Sequence, residues 1–200
     1  MLEVKKYDLV DIELLTKQHL ADLKFFVWQP DRVYIVLGSS NKMEDSLQID
    51  HVLHDKAAVL KRPSGGESVL LTPQTIVLAT LIHTQKLEDP PSHFRAINSK
   101  IISILEAKGV HNLSHKGISD IAIGNKKILG SSIYRRTNLV FYHAVLNVSE
   151  STSLMERYLT HPKKQPDYRL DRKHHDFVTS LKAEGYHFEM EELKHLFTSA

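Results

Sequence analysis

The 200-residue sequence contains no cysteine. This absence excludes disulfide bonds, thiolate zinc sites and every catalytic mechanism that depends on a cysteine nucleophile. Long apolar runs are missing as well, because no stretch approaches the ~20 residues that a membrane helix needs. The N-terminal run Met1 to Lys6 lacks the apolar block of a secretory signal. The sequence therefore predicts a cytoplasmic protein that does not contact a membrane.

An excess of charge of one sign is also missing. Lysine and arginine number 26, aspartate and glutamate number 24, and the formal net charge is +2. This excess is too small to indicate a nucleic-acid partner, and no basic run is interleaved with aromatic residues. Hydrophobic residues make up 42% of the sequence, which is enough for one substantial core. We therefore expect a single domain over residues 1–200 that binds no nucleic acid.

Hydrophobic patterning predicts strands in the first three quarters of the chain and helices at its end. The predicted strands lie near residues 26–28, 33–37, 57–60, 68–71, 76–82, 120–123, 127–134 and 139–146. The predicted helices lie within residues 11–27, from about 94 to 109, and near 152–159, 172–183 and 189–197. Strands and helices do not alternate regularly, which predicts an α+β fold with a mixed, largely antiparallel sheet flanked by helices.

The run Arg62-Pro63-Ser64-Gly65-Gly66-Glu67-Ser68-Val69-Leu70 places two glycines just before an apolar segment. Adjacent glycines allow backbone conformations closed to other residues and a close approach to a ligand. Arginine adds a rigid fork of donors that suits phosphate or carboxylate. The run matches neither a nucleotide phosphate loop nor a dinucleotide fingerprint. Two interpretations stay open: a tight hairpin with a solvated Arg62, or one wall of an anion site.

A second segment indicates an anionic ligand. Gly124-Asn125 is a hairpin-type turn that delivers Lys126 and Lys127 to the start of a strand, where neighbouring side chains point to opposite faces. One lysine is therefore expected on the packed side, where an unpaired ammonium group is costly. Binding of an anion would compensate that cost, and Gly130 leaves room for a ligand to approach the backbone.

In this order the motifs resemble those of the lipoate–protein ligase A family, which shares its catalytic fold with biotin–protein ligases. Each motif is weak alone, but their order and spacing together are more specific, and the resemblance runs from about Trp28 to Leu181. The motifs are Trp28-x-Pro30, Arg62-x-Ser64-Gly65-Gly66, Asp120 to Gly124, Lys127-x-x-Gly130-Ser131, the strand of His143, Pro166-Asp167-Tyr168-Arg169 and residues 175–181.

The resemblance implies an enzyme that activates lipoate with ATP and Mg²⁺ and passes the lipoyl group to a lysine of an acceptor domain. The acceptor would be a lipoyl domain of 2-oxoacid dehydrogenase E2 or a glycine-cleavage H-type protein. Lys127 would be the catalytic residue, because a positive charge beside the acyl phosphate stabilises the developing oxyanion. Asp120 would lie near the adenosine or its magnesium. The implied binding site for lipoyl-AMP comprises Arg62, Ser64, Gly65, Gly66, Glu67, Ser68, Val69, Leu70, Asp120, Lys127, Gly130, Ser131 and His143.

Three further interpretations concern residue chemistry. The histidines are scattered without the spacing of metal ligands, so no metal site held by the protein is predicted. Ser64 does not lie in a nucleophile elbow, which makes a hydrolase triad unexpected. His143, on a strand, is interpreted as a core or pocket-lining residue rather than a base.

The sequence departs from the family pattern at Glu67, which replaces a third glycine, and at Leu129 and Ala144. A carboxylate beside phosphates repels them unless a cation intervenes. The absence of cysteine excludes the thioester mechanism of the related octanoyltransferases, which leaves an ATP-dependent ligase or a transferase that uses preformed lipoyl-AMP. No C-terminal accessory domain is expected, so a separate accessory subunit stays open. The alternative is a non-catalytic lipoyl- or nucleotide-binding accessory or sensor protein of the same fold.

Overall fold

The computed structural model describes residues 2–16, 24–83 and 89–200. The strands are β1 (Val4–Lys6), β2 (Phe26–Trp28), β3 (Tyr34–Leu37), β4 (Ala58–Lys61), β5 (Val69–Leu71), β6 (Thr75–His83), β7 (Leu113–Lys116), β8 (Asp120–Ile123), β9 (Lys126–Arg136) and β10 (Leu139–Asn147). The helices are α1 (Met43–Ser46), α2 (Ile49–His54), α3 (Pro90–Glu106), α4 (Ser153–Tyr158), α5 (His174–Phe177) and α6 (Met190–Ser199), with 3-10 helices at Val10–Thr16 and Asp167–Arg169.

The strands form two sheets. The larger sheet has the order β2-β6-β10-β9-β8-β7, with each neighbouring pair antiparallel. The smaller sheet has the order β1-β4-β3-β5 and is mixed, because β4 runs parallel to β1 and β3 while β3 and β5 are antiparallel. The predicted α+β class with a mixed, largely antiparallel arrangement is confirmed, but the patterning did not separate the strands into two sheets.

The core of the larger sheet lies under α3 and α6. Strands β6 and β10 are buried along almost their whole length, as expected of strands whose apolar residues run continuously. Helix α3 adds Phe94, Ile97 and Ile101 to this core, and α6 adds Leu193 and Phe197. None of the helices in the described ranges is long and apolar enough to cross a membrane.

Two predicted helices differ from the structure. The expected helix within residues 11–27 is a 3-10 helix at Val10–Thr16, and Leu20 and Leu23, on which that prediction partly rested, lie outside the described residues. The expected helix at 172–183 is limited to His174–Phe177. After Phe177 the backbone is hydrogen-bonded to the larger sheet instead. Thr179 N donates to Lys127 O at 2.9 Å, and Leu181 N donates to Asn147 O at 3.1 Å. These bonds replace those that would have continued the helix.

The glycine run is not a hairpin, because β3 lies between the two strands β4 and β5 that the run connects. Residues 62–68 cross the end of β3, and Gly38 lies directly beneath them. A Cβ on Gly38 would lie 2.0 Å from the carbonyl oxygen of Gly66, so only glycine fits there. The interpretation as a tight hairpin is therefore wrong, and this crossing segment, residues 62–68, is called the glycine loop below.

Candidate functional site

A cavity of about 1000 Å³ is lined by residues of both sheets. The structure brings the separate sequence motifs together around it. The predicted site residues that line the cavity are Arg62, Gly66, Glu67, Ser68, Val69, Leu70, Asp120, Lys127, Gly130, Ser131 and His143. The other two, Ser64 and Gly65, belong to the glycine loop but are not among the lining residues.

Lys127 reaches the cavity because the pairing of β8 with β9 is irregular. Ala122 pairs with Lys127 and Ile121 with Leu129, which leaves Ile128 as an extra residue. Such a bulge redirects the neighbouring side chains. The Lys127 side chain is 29% exposed, whereas Lys126 points outward and lies 3.7 Å from Glu184. The expected division of the two lysines between opposite faces agrees with this geometry.

The carboxylate of Asp120 holds the Lys127 ammonium. Lys127 Nζ lies 2.8 Å from Asp120 Oδ1, and the Tyr168 hydroxyl donates to Asp120 Oδ2 at 2.8 Å. Burial raises the pKa of Tyr168, and the charge of Asp120 raises it further, so Tyr168 remains a neutral donor. The resemblance implied that Asp120 faces adenosine or magnesium. In the structure one of its oxygens instead forms an ion pair with the Lys127 ammonium, and the other accepts the Tyr168 hydroxyl.

Gly130 leaves the space that the Lys127 side chain occupies. A Cβ on Gly130 would lie 2.6 Å from Lys127 Nζ and 2.7 Å from its Cε. Gly130 is the register partner of Asp120, so the two residues confine the ammonium group from neighbouring strands. Only glycine at position 130 leaves room for the Lys127 side chain in this position.

Arg62 is buried beneath the glycine loop. It donates from Nε to Ser64 Oγ at 3.1 Å, from Nη1 to the Val36 carbonyl at 3.3 Å, and from Nη2 to the Gly65 and Glu67 carbonyls at 2.7 and 2.8 Å. Burial lowers its pKa to about 10, so the guanidinium stays charged at neutral pH. Of its five N–H groups, three therefore bind the loop and a fourth binds β3, and the open fork of donors expected from the sequence is largely used within the protein.

Glu67 lies at the exposed edge of the glycine loop. Its Oε2 accepts a bond from Asn41 Nδ2 at 3.3 Å, and both residues line the cavity. Gly66, the preceding residue, has a φ of +88°, a conformation that favours glycine. A Cβ on Gly65 would meet no atom within 4 Å, so of the two adjacent glycines only Gly66 is required by the backbone.

Comparison with known proteins agrees with the motif order. The model of the lipoyl protein ligase A/B catalytic domain matches residues 10–200. The chain belongs to this family. No match was found among curated proteins. This chain resembles a bi-partite lipoate protein ligase of Thermoplasma acidophilum, whose structure was described with its E2 lipoyl domain. The match has a TM-score of 0.76 and 16% identity, and it covers 88% of this chain and 68% of that chain.

Two further solved structures share the fold of this ligase-family domain. A lipoate-protein ligase A bound with ATP matches with a TM-score of 0.73 and 16% identity over 86% of this chain and 68% of that chain. LipL1 of P. falciparum in complex with lipoate matches with a TM-score of 0.72 and 14% identity over 97% of this chain and 56% of that chain. At these identities the likeness establishes the fold.

A buried hydrogen-bond chain lies behind the glycine loop of the ligase-family domain. Ser64 Oγ lies 2.7 Å from His143 Nε2, His143 Nδ1 lies 3.3 Å from Asp11 Oδ2, and the Tyr7 hydroxyl donates to Asp11 Oδ1 at 2.7 Å. Sequence reasoning missed Tyr7 and Asp11, because they are more than 130 positions from His143 and belong to no local motif. The one available signal was an acidic residue, Asp11, between the apolar Val10 and Ile12.

The described parts of the chain hold no group of three or more histidine, aspartate or glutamate side chains arranged for a metal ion. Mg²⁺ prefers oxygen ligands in octahedral geometry and commonly binds through substrate phosphates with few protein carboxylates. A magnesium ion bound at this site would therefore need phosphate oxygens of a ligand among its own ligands.

Proposed function

We propose that this protein is a lipoate–protein ligase or lipoyltransferase. It forms or uses lipoyl-AMP and transfers the lipoyl group to a lysine of an acceptor domain, of the E2 or the glycine-cleavage H type. The observation that carries the proposal is the position of the Lys127 ammonium, which lies 2.8 Å from Asp120 in a cavity shared with the glycine loop. A fixed cation in the same cavity as the glycine loop suits an acyl phosphate.

The chemistry of transfer follows from that position. The neutral amine of the acceptor lysine attacks the carbonyl carbon of lipoyl-AMP and forms a C–N bond. The bond from that carbon to the phosphate oxygen breaks, AMP leaves with its electron pair, and the nitrogen loses a proton. Lys127 lies against the carbonyl and the bridging oxygen and stabilises the negative charge that develops on both. Asp120 and Tyr168 position Lys127.

Activation of lipoate would use the same cavity. The lipoate carboxylate attacks the α-phosphorus of ATP and diphosphate leaves, so charge again develops close to Lys127. Apolar side chains of both sheets, including Val36, Leu70, Val77 and Val145, line the cavity and suit the apolar tail of lipoate. The relatives bound with ATP and with lipoate support this choice of ligands.

We also propose that ATP binds as its magnesium complex. Glu67 is exposed at the cavity wall, and its carboxylate would repel the phosphates without a cation between them. Glu67 would hold the magnesium ion, and the charge of the ion would offset that repulsion. Sequence analysis placed Asp120 near the adenosine or its magnesium, but we prefer Glu67 as the carboxylate for the metal, because one Asp120 oxygen pairs with Lys127 and the other accepts the Tyr168 hydroxyl.

The experiment is mass spectrometry of a lipoyl-domain acceptor after two separate incubations with the protein. One contains lipoate and Mg-ATP, and the other contains lipoyl-AMP alone. A mass increase in both reactions identifies a ligase, and an increase only with lipoyl-AMP identifies a transferase. A transferase result would be repeated after addition of a candidate accessory subunit.

An acceptor without any gain in mass would contradict the proposed activity. If the acceptor gains no mass in either reaction while lipoate, nucleotide or lipoyl-AMP still binds, catalysis is excluded. The protein would then be a binding or accessory protein of the same fold, the alternative that the replacement of a family glycine by Glu67 motivates.

A further inference from the structure

The hydrogen-bond chain behind the glycine loop connects distant parts of the fold. Tyr7 follows β1, Asp11 lies in the 3-10 helix Val10–Thr16, His143 lies on β10, and Ser64 and Arg62 follow β4. All of the polar side chains in the centre of this chain are buried: Asp11 is 0% exposed, Ser64 1% and His143 8%. Buried polar groups that satisfy one another fix a unique geometry.

From Arg62 to Asp11, each residue of this hydrogen-bond series donates to the next. Arg62 Nε carries a hydrogen and no lone pair, so Ser64 Oγ accepts from it at 3.1 Å. The Ser64 hydroxyl hydrogen is then free to be donated to His143 Nε2 at 2.7 Å. The Asp11 carboxylate can only accept, so the ring hydrogen of neutral His143 lies on Nδ1, facing Asp11 Oδ2 at 3.3 Å, and Nε2 accepts from Ser64. The tautomer is thus assigned from the hydrogen-bond network.

The residue types repeat the order of a Ser-His-Asp catalytic triad, but Ser64 cannot serve as a nucleophile. Its side chain is 1% exposed and is not among the residues that line the cavity. Its oxygen already accepts a hydrogen bond from Arg62, whereas a triad serine presents its oxygen to substrate. These hydrogen-bonded residues therefore position other parts of the protein and do not react with a substrate.

This buried hydrogen-bond network fixes the glycine loop. The Ser64 carbonyl accepts from Ser39 N at 2.9 Å, and the Ser132 hydroxyl donates to the Gly65 carbonyl at 3.1 Å. Arg62 holds the carbonyls of Gly65 and Glu67. With these carbonyls held from behind, the loop residues that line the cavity keep one geometry. His143 joins this assembly to Asp11 through the Ser64 hydroxyl.

We propose that Asp11 is a positioning residue that, through His143 and Ser64, holds the glycine loop in the geometry that binds the nucleotide end of the acyl-adenylate. This inference rests on the proposed function, since it takes the adenylate to be the ligand of the loop. Asp11 itself touches no ligand, and Tyr7 fixes its second carboxylate oxygen.

The arrangement has a pH dependence. Burial lowers the pKa of His143, the hydrogen bond and charge of Asp11 raise it, and the charge of Arg62 lowers it. The groups that face the ring are Asp11 and Tyr7 on one side, Arg62 and Ser64 from the loop, and Ser132 from β9. Protonation turns Nε2 into a donor, so two donors then point at Ser64 Oγ and its hydroxyl hydrogen loses its acceptor.

The test compares Asp11→Asn with Glu13→Gln, which makes the matched change at an exposed carboxylate of the same 3-10 helix. The probe is the sulfamoyl analogue of lipoyl-AMP, and its affinity is measured by calorimetry from pH 5 to 8. We expect Asp11→Asn to weaken binding about tenfold, the size of one lost charged hydrogen bond. We also expect the acid limb of binding to move to lower pH, because the group that raises the pKa of His143 loses its charge. Glu13→Gln should change neither.

Several results would overturn the proposal. Unchanged affinity and an unchanged acid limb in Asp11→Asn would do so, and so would lower thermal stability alone, which marks a merely structural role. Covalent labelling of Ser64 by a fluorophosphonate would show that the serine is accessible. Failure of the wild-type protein to bind the analogue would reject both this inference and the nucleotide ligand. Binding without acyl transfer would reject the proposed enzyme alone, and the Asp11 comparison would still be decisive.

Discussion

At the scale of single residues, the position of the Lys127 ammonium is set by Asp120, Gly130 and the bulge between β8 and β9. The Asp120 carboxylate supplies the opposite charge, with its Oδ1 2.8 Å from Lys127 Nζ. Gly130 supplies the space, and the bulge directs the side chain into the cavity. Of these three, sequence analysis named Asp120 and Gly130 as site residues, together with Lys127 itself. It could not show their contact, because the bulge appears only when the two strands pair.

Replacement of Gly130 by alanine tests this arrangement. The new Cβ would occupy the space 2.6 Å from Lys127 Nζ, and the flexible lysine would move before the backbone does. We expect acyl transfer from lipoyl-AMP to slow by about 100-fold, the usual cost of one misplaced oxyanion-stabilising group. Thermal unfolding should change little. A transfer rate like that of the wild type would show that the ammonium does not need this position.

At the scale of elements, the glycine loop is the clearest difference between expectation and structure. The sequence showed that two glycines precede an apolar strand, and it predicted the strands on either side. It did not reveal that β3 lies between those strands, because parallel pairing of β3 with β4 joins segments that are distant in sequence. Gly38, whose added Cβ would make the closest contact of any glycine, directly follows the strand predicted at 33–37 and belongs to none of the predicted site motifs.

Gly38→Ala should destabilise the fold far more than Gly65→Ala. A Cβ at position 38 would collide with the Gly66 carbonyl at 2.0 Å, whereas one at position 65 would meet nothing within 4 Å. We expect a loss of about 2–3 kcal/mol in the free energy of unfolding for Gly38→Ala, typical of overpacking a rigid site. For Gly65→Ala the change should stay within about 0.5 kcal/mol. Urea unfolding measures both, and equal losses would contradict the described crossing.

The C-terminal segment shows a second limit of sequence patterning. Residues 172–183 have a helical pattern, yet only His174–Phe177 are helical. Lys127 and Asn147 offer carbonyl groups to the backbone of Thr179 and Leu181, so tertiary hydrogen bonds replace helical ones. By contrast α3, whose apolar residues pack in one core, was predicted nearly in full. Local patterns predict elements that depend on one packed face, and they fail where the backbone itself binds a distant strand.

At the scale of the whole molecule, the two sheets enclose a polar interior beside the apolar cores. His143 is buried there as a neutral imidazole, and burial also lowers the pKa of His174. The unfolded chain returns both groups to an ordinary pKa of about 6.5. Below that pH these two groups bind more protons in the unfolded state than in the native state, so their contribution to native stability falls as the pH decreases. The exposed His175, whose pKa is raised by its hydrogen bond to Glu156, contributes in the opposite direction.

The contribution of His143 and His174 to the free energy of unfolding is therefore expected to be nearly constant above about pH 7 and to decrease between about pH 6.5 and 5. Each histidine that stays neutral contributes up to about 1.4 kcal/mol per pH unit in that range. Urea unfolding at pH 7.5 and 5.5 measures the effect in the wild type and in His143→Gln. The substitution should reduce the difference between the two pH values, and an equal difference in both proteins would contradict a neutral, buried His143.

The central claim, that Lys127 stabilises the transfer of an acyl group from an adenylate, is tested most directly by single-turnover kinetics. The wild type, Lys127→Ala and Lys126→Ala are each mixed with lipoyl-AMP and a lipoyl-domain acceptor, and the acylated acceptor is followed by mass spectrometry. We predict that Lys127→Ala slows transfer by at least about 100-fold. Lys126→Ala, the exposed neighbour, should transfer at the wild-type rate. Equal rates for the wild type and Lys127→Ala would contradict the account.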